Sequence, residues 1–309
     1  MRIIYDKNNQ PKSQADPYII FAEGRYYIYA TGEKGVAVYT APAIDDEWEY
    51  LGSALETDGE KDFWAPCVIN ENGKYYMYYS SVKNESADCH DERIKVAVSD
   101  RPDGGFEYVK DLLEPFSIDP HVVKSGNGLY IFYSVNDWEA ERAGTYIVLQ
   151  KMDSPLSVTG EPVAVVRPTL DEEIFQRDRF KKGQHWHTIE GAFYFREGDY
   201  HYLIYSGNCW QSKYYFLGYA VGKGKEDDLT KLKFNKYPSD SVYAPLISAN
   251  EFESGTGHNS VIKIDGEYYC VYHGRDTGDV TPYDNRSARA CKLVVKDGVL
   301  TAERYKDKL

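Results

Sequence analysis

A chain of 309 residues carries 49 Asp and Glu against 36 Lys and Arg, for a net charge of −13, with 42% hydrophobic and 28% charged residues. That balance suits a folded globular domain and excludes nucleic acid as a partner, because neutralising phosphate needs clustered Lys and Arg. No stretch of eighteen apolar residues occurs and the first residues lack the apolar core of a signal peptide, so neither a helical membrane span nor a leader is expected, and a cytoplasmic location is.

The elements repeat along the chain. Strand patterning is predicted at 15–21, then across the Glu23-Gly24 turn at 26–31, then at 36–40 and 48–51. A second unit follows at 64–70, across Asn72-Gly73 at 75–80, then 94–99 and 106–109. The loop 84–93, with Cys89 and His90, lacks metal-ligand spacing and reads as solvated. The third unit runs through 118–124, 129–134, 146–151 and 163–166. Residues 171–184 are charged and nonperiodic, which predicts a long insertion near a pocket mouth. The fourth unit occupies 189–195, then 200–206 across Gly198-Asp199, 216–221 and 233–237, with a short surface turn at 226–232. The fifth has strands at 257–263, across Asp265-Gly266 at 268–273, then 290–295 and, across Asp297-Gly298, 299–304.

The second strand of each unit is rich in Tyr, of which the chain has 29; an aromatic strand former with a polar tip suits half-buried sheets and sugar-facing surfaces. Five cysteines (Cys67, Cys89, Cys209, Cys270 and Cys291) are odd in number and scattered, with Cys67 and Cys270 inside apolar strand patterns, which fits a reducing compartment. A β-sandwich also has many short strands, but gives no reason for a similar hairpin to return every roughly 50 to 70 residues. The expected fold is therefore all-β: a five-bladed β-propeller with four antiparallel strands per blade, forming a single domain over 1–309.

Anchoring the first strands on their turn glycines aligns one position. Asp16, Ala65, Glu190 and His258 each stand eight residues before Gly24, Gly73, Gly198 and Gly266. In the third unit the register is blurred, since Asp119 lies seven before Gly126 and nine before Gly128, but the Asp-Pro shared with Asp16-Pro17 assigns it to the same column. In a propeller the first strands line the axis, so three carboxyls and an imidazole would face one cavity. Buried acids need partners, and glycoside hydrolysis needs such a group: one carboxylate to activate water and one carboxylic acid to protonate the leaving oxygen.

These segments, Asp16-Pro17, Trp64-Ala65-Pro66, Asp119-Pro120, Ile189-Glu190-Gly191 and Gly257-His258 with Tyr272-His273-Gly274-Arg275, resemble glycoside hydrolase family 43 in order and spacing over about residues 15–275. The resemblance implies an inverting glycosidase that requires no cofactor, with Asp16 as general base, Glu190 as general acid and Asp119 orienting Glu190. It implies substrate contacts at Trp64, Ala65, His258 and Arg275, and a calcium or other ion on the axis near His258, held through water. Gly191-Ala192 departs from the Gly-Pro of many relatives, and His185, Trp186 and His187 crowd before Glu190 as candidates for a subsite. A small oligosaccharide is the expected partner. An exo-acting α-L-arabinofuranosidase is favoured, with β-xylosidase and endo-arabinanase as alternatives within the family. Outside it stand a sugar-binding propeller without catalysis and a retaining fructan-type hydrolase.

Overall fold

In a computed structural model, residues 1–5, 11, 13–277, 284–307 and 309 are described. Within them the chain is all-β: strands and connecting loops, with short 3-10 turns at Cys89–Asp91, Asp171–Glu173 and Leu229–Lys231 and no α-helix among the described residues. The last of these turns is capped by Asp228, whose carboxylate accepts from the Thr230 amide, as the acidic surface turn at 226–232 leads one to expect.

The strands fall into antiparallel groups in chain order. The first comprises β1 (Tyr18–Ala22), β2 (Arg25–Ala30), β3 (Val36–Ala41) and β4 (Glu49–Leu55); the second β5 (Glu60–Glu71), β6 (Lys74–Lys83), β7 (Arg93–Ser99) and β8 (Glu107–Asp111). The third comprises β9 (Ile118–Ser125), β10 (Gly128–Asp137), β11 (Gly144–Ser154) and β12 (Ser157–Val166). A short β13 (Ile174–Gln176) precedes the fourth, β14 (Trp186–Glu197), β15 (Tyr200–Gly207), β16 (Phe216–Lys223) and the two-residue β17 (Asn235–Lys236). The fifth is β18 (Glu253–Ile264), β19 (Glu267–Asp276), β20 (Ser287–Lys296) and β21 (Val299–Glu303). One link was not legible in sequence: β11 pairs in parallel with β14 through Gly144↔His187 and Thr145↔Thr188, which joins the third and fourth groups into one nine-stranded sheet.

The apolar cores lie between consecutive groups rather than inside them. Tyr29, Val38 and Phe63 pack with Met77 and Tyr79 between the first and second groups, and Tyr78 and Val96 with Ile131 and Val148 between the second and third. Phe132 and Leu149 meet Leu203 and Phe216, Ile204 and Tyr219 meet Cys270 and Leu293, and Ile28 and Tyr39 meet Val271 and Ala290. The last of these sets the fifth group against the first, where Ile3 N–H also donates to Ala288 O at 3.0 Å. This layout explains the tyrosines. The buried rings fill the space between sheets while their hydroxyls reach turns of the next group, as Tyr78 does at Pro155 O (2.9 Å) and Tyr202 at the Gly298 amide (3.0 Å). All five cysteines are free, and Cys270 and Cys291, on consecutive strands, face each other across β19 and β20.

Candidate active site

The first strands of the groups are neighbours: β1 touches β5 and β18, β5 touches β9, and β14 touches β9 and β18. Near the start of each, one residue adopts a left-handed conformation: Asp16 (φ 55°), Ala65 (φ 46°), Asp119 (φ 57°), Gly191 (φ 63°) and His258 (φ 44°). Where these points fall inside a ladder, the register slips, between Trp64 and Cys67, Glu190 and Phe193, and Gly257 and Asn259. Such bulges re-aim side chains, and strained left-handed residues of this kind gather at functional sites. In each group the next left-handed turn residue stands seven positions on, at Glu23, Asn72, Gly126, Gly198 and Asp265. That spacing removes the blur at Asp119 and corrects the alignment at one point: Gly191, not Glu190, occupies the shared column, and Glu190 stands one residue before it.

A second column, at the ends of the Tyr-rich strands, ties the first together. Ala65 N–H donates to Thr31 Oγ1 (2.8 Å), His258 N–H to Ser206 Oγ (2.8 Å) and Asp16 N–H to His273 Nδ1 (3.1 Å). Each of these bonds runs from one group to the side chain that ends the second strand of the preceding group, counting the fifth as preceding the first. Gly191 N–H instead donates to Asp119 Oδ2 at 3.0 Å, so the Asp119 carboxylate holds the backbone beside Glu190.

A cavity of about 580 Å³ opens here, lined by Asp16, Asp119, Glu190, Trp64 and His258, together with Thr31, Trp186, Trp210, Tyr215 and Arg286. The first five of these, and Trp186, are residues that the sequence singles out. Ala65 is buried beneath the surface and does not line the cavity. Arg275 does not line the cavity among the described residues: its guanidinium donates to Trp210 O and Asn285 Oδ1, both at 3.0 Å. The cavity's arginine next to Asp16 is Arg286, just before β20 (Nη1 to Asp16 Oδ1, 3.3 Å), held by Asp284 and stacked over Trp210 at 4.3 Å. Of the crowded histidines, His187 is turned to Arg142 and Ala143 O and His185 to Asp178, and neither lines the cavity.

Asp16 and Asp119 are buried and Glu190 is half-buried, and the three are pushed in opposite directions. Burial alone would raise Asp16, but the Arg286 guanidinium, with His258 and His273, outweighs it and holds Asp16 well below the usual carboxylate range; Thr31 Oγ1 donates to its Oδ2 at 2.6 Å. Glu190 is pushed up to about 7, chiefly by burial and further by the Asp16 charge, against the hydrogen bond from Tyr215 and the charge of Arg286. Asp119 is raised by burial and by the charges of Glu190 and Asp16, so Asp119 and Glu190 titrate as a pair that holds a proton near neutral pH. Burial pushes His273 down to about 4 and lowers His258. An ionised carboxylate and a protonated carboxyl in one cavity can deprotonate a water and protonate an oxygen.

An axial metal finds little direct support in these donors. His258 Nδ1 lies 3.4 Å from Asp16 Oδ1, which is already paired with Arg286, and a hard cation asks for several oxygen ligands. Among the described residues, three potential ligands come together only at Asp88, Cys89 and His90, on the loop whose spacing reads as solvated. There the 3-10 turn gathers neighbours in sequence, His90 Nδ1 is bound to Asp88 Oδ1 at 2.6 Å, and Cys89 and His90 border the cavity.

Comparison with known proteins identifies the family. The profile of the family described as Glycosyl hydrolases family 43 matches residues 9–300. A xylosidase/arabinosidase of Thermoclostridium stercorarium is 25% identical over 92% of this chain, which spans 62% of that relative's length. An extracellular exo-α-(1→5)-L-arabinofuranosidase of Cellvibrio japonicus is 25% identical over 85% of this chain and 79% of its own. The crystal structure of a thermostable family-43 glycoside hydrolase superposes with a TM-score of 0.80 at 31% identity, covering 96% of this chain and 94% of the other. The protein therefore belongs to glycosyl hydrolase family 43 and is a glycoside hydrolase.

Proposed function

We propose that this glycoside hydrolase releases α-L-arabinofuranosyl units from short oligosaccharides by an inverting, exo-acting mechanism. Asp16 takes a proton from the attacking water, whose oxygen bonds to the anomeric carbon. Glu190 gives its proton to the departing glycosidic oxygen as that C–O bond breaks. Asp119 keeps Glu190 in place through the Gly191 amide. The observation that carries the reading is one cavity lined by two carboxyls held in opposite protonation states, Asp16 ionised beside Arg286 and Glu190 pushed up to about 7. The preference for arabinofuranosides rests on the Cellvibrio relative, and a β-xyloside-cleaving reading is favoured by the Thermoclostridium one. The five strand groups, with cores between each pair including the fifth and first, are the blades of a five-bladed propeller that makes 1–309 a single domain.

The test compares 4-nitrophenyl α-L-arabinofuranoside, β-D-xyloside and β-D-galactoside, with product anomer followed by NMR. The arabinofuranoside is expected to be cleaved fastest and to yield the inverted anomer first. Glu190→Ala is expected to lose about 10²–10⁴-fold on arabino-oligosaccharides and far less on the nitrophenyl substrate, whose leaving group needs little protonation. Sugar binding without turnover of any pentoside would sink the enzymatic assignment of these residues, and retention of configuration would sink the inverting one.

A further inference from the structure

The hydroxyl that holds Glu190 comes from Tyr215, immediately before β16, and its ring has one place to be. It is fully buried and lies parallel to the His273 imidazole (interplanar angle 7°, centroids 5.7 Å apart). It also occupies the space over Gly257, where a methyl group would sit 2.0 Å from Tyr215 Cε1. The hydroxyl stands in line with further polar groups. His258 N–H donates to Ser206 Oγ at 2.8 Å, Ser206 faces the Tyr215 phenol, and Tyr215 Oη donates to Glu190 Oε1 at 2.7 Å. A backbone N–H can only donate. Ser206, having accepted from it, has its own proton free to turn toward Tyr215, which passes its own toward Glu190, and bonds so aligned polarise one another in the same sense.

We propose that this chain fixes which oxygen of Glu190 carries the transferable proton: Oε1 is kept as an acceptor, so the acidic hydrogen sits on Oε2. Resting on the assignment of Glu190 as the acid, it makes Tyr215 a positioning residue and Ser206 its support. When Oε2–H passes to the glycosidic oxygen and the C–O bond breaks, the negative charge left on Glu190 falls on a carboxylate that already accepts from Tyr215. The charged groups facing Glu190 are Asp16, Asp119 and Arg286; Arg286 is engaged by Asp284 and Asp16, the ionised Asp16 can only accept, and Asp119 is turned to the Gly191 amide.

The test is Tyr215→Phe, which keeps the ring and its stacking, alongside Ser206→Ala and Glu190→Ala, each assayed across pH on α-1,5-arabinobiose and 4-nitrophenyl α-L-arabinofuranoside. Tyr215→Phe is expected to lose roughly tenfold or more in kcat on the biose and under about threefold on the nitrophenyl substrate. The alkaline limb of kcat/KM should move to higher pH, because a hydrogen bond to the carboxylate has been removed. Ser206→Ala should shift both readouts in the same direction by less. Equal losses on the two substrates, or an unmoved alkaline limb in both variants, would overturn the relay. Should Glu190→Ala itself lose equally on both substrates, the acid assignment falls and the relay with it; a leaving-group-selective Glu190→Ala beside an unselective Tyr215→Phe removes the relay alone.

Discussion

Desolvation drives both Asp16 and Glu190 toward their neutral forms, and what opposes it differs most in the group each touches. Asp16 has the Arg286 guanidinium at 3.3 Å, whereas Glu190 has a neutral phenol. Arg286→Gln removes the charge and leaves burial in command, so the folded-state pKa of Asp16 must rise. A general base works only when ionised, so the acidic limb of kcat/KM is expected to move to higher pH, with the largest loss below neutrality and a partial recovery as pH increases. An acidic limb that stays where it was would show that another group sets it. Arg286 was not legible in the sequence because it precedes a third strand, a place where the repeat suggests packing only, and its partner Asp16 is 270 residues away. Thr31, Ser206 and His273 were legible and went unread. They end the Tyr-rich strands of their units just as Asp16 and His258 begin the first strands, and the same alignment could have shown both columns. The one-residue offset of Glu190 was hidden for a different reason: spacing in a sequence does not reveal which residue of a bulge takes the left-handed turn, and Gly191 is the residue that does so without steric cost.

At the scale of elements, the repeat exposed the hairpins, because period-two patterning and turn glycines are local signals, but it left the insertion at 171–184 blank. That segment folds over the cavity wall: β13 pairs with β14, and Phe175, Arg179 and Trp186 line the opening. Behind them the rings continue outward. Trp138 lies 4.5 Å from Trp186 and 5.3 Å from Phe180, centroid to centroid, and Trp138 and Phe180 are 45% and 52% exposed. Nonperiodic charge carries no record of such a cluster, since its members come from two loops and a strand start. Trp138 does not itself line the cavity, so only a substrate extending past Trp186 would reach it. Trp138→Ala is thus expected to raise KM for longer arabino-oligosaccharides by roughly threefold to tenfold, the worth of about 0.5–1.5 kcal/mol of aromatic contact, while kcat and the nitrophenyl substrate stay as they are. A loss common to long and short substrates would mean that the ring only braces Trp186.

Over the whole molecule, the interiors between sheets enclose ionisable groups beyond the cavity, and these make stability depend on pH in a direction that can be worked out. Glu60 is buried with Lys95 and Ser81 as partners, with Nζ of Lys95 at 2.5 Å and Oγ of Ser81 at 2.6 Å. Glu92, fully buried nearby, has neither carboxyl oxygen hydrogen-bonded among the described residues. Burial, with the charges of Asp62 and Glu60 adding to it and Lys95 opposing, pushes Glu92 up to about 9. In the unfolded chain it would ionise near the model-peptide value of about 4.3. Between those two values the native state keeps a proton that the unfolded state releases, so stability contributed by this group is whole at low pH and is lost as pH climbs through the window, by as much as about 1.4 kcal/mol per pH unit. Glu92→Gln replaces the neutral carboxyl by a neutral amide of nearly the same shape and has no proton to lose. Its Tm should therefore match or fall slightly below the parent's at pH 5 and exceed it by several degrees at pH 8, since the parent alone loses this group's contribution across that interval. Parallel Tm-against-pH curves for parent and variant would show that Glu92 is ionised and compensated in the fold, and the burial argument for it would fail.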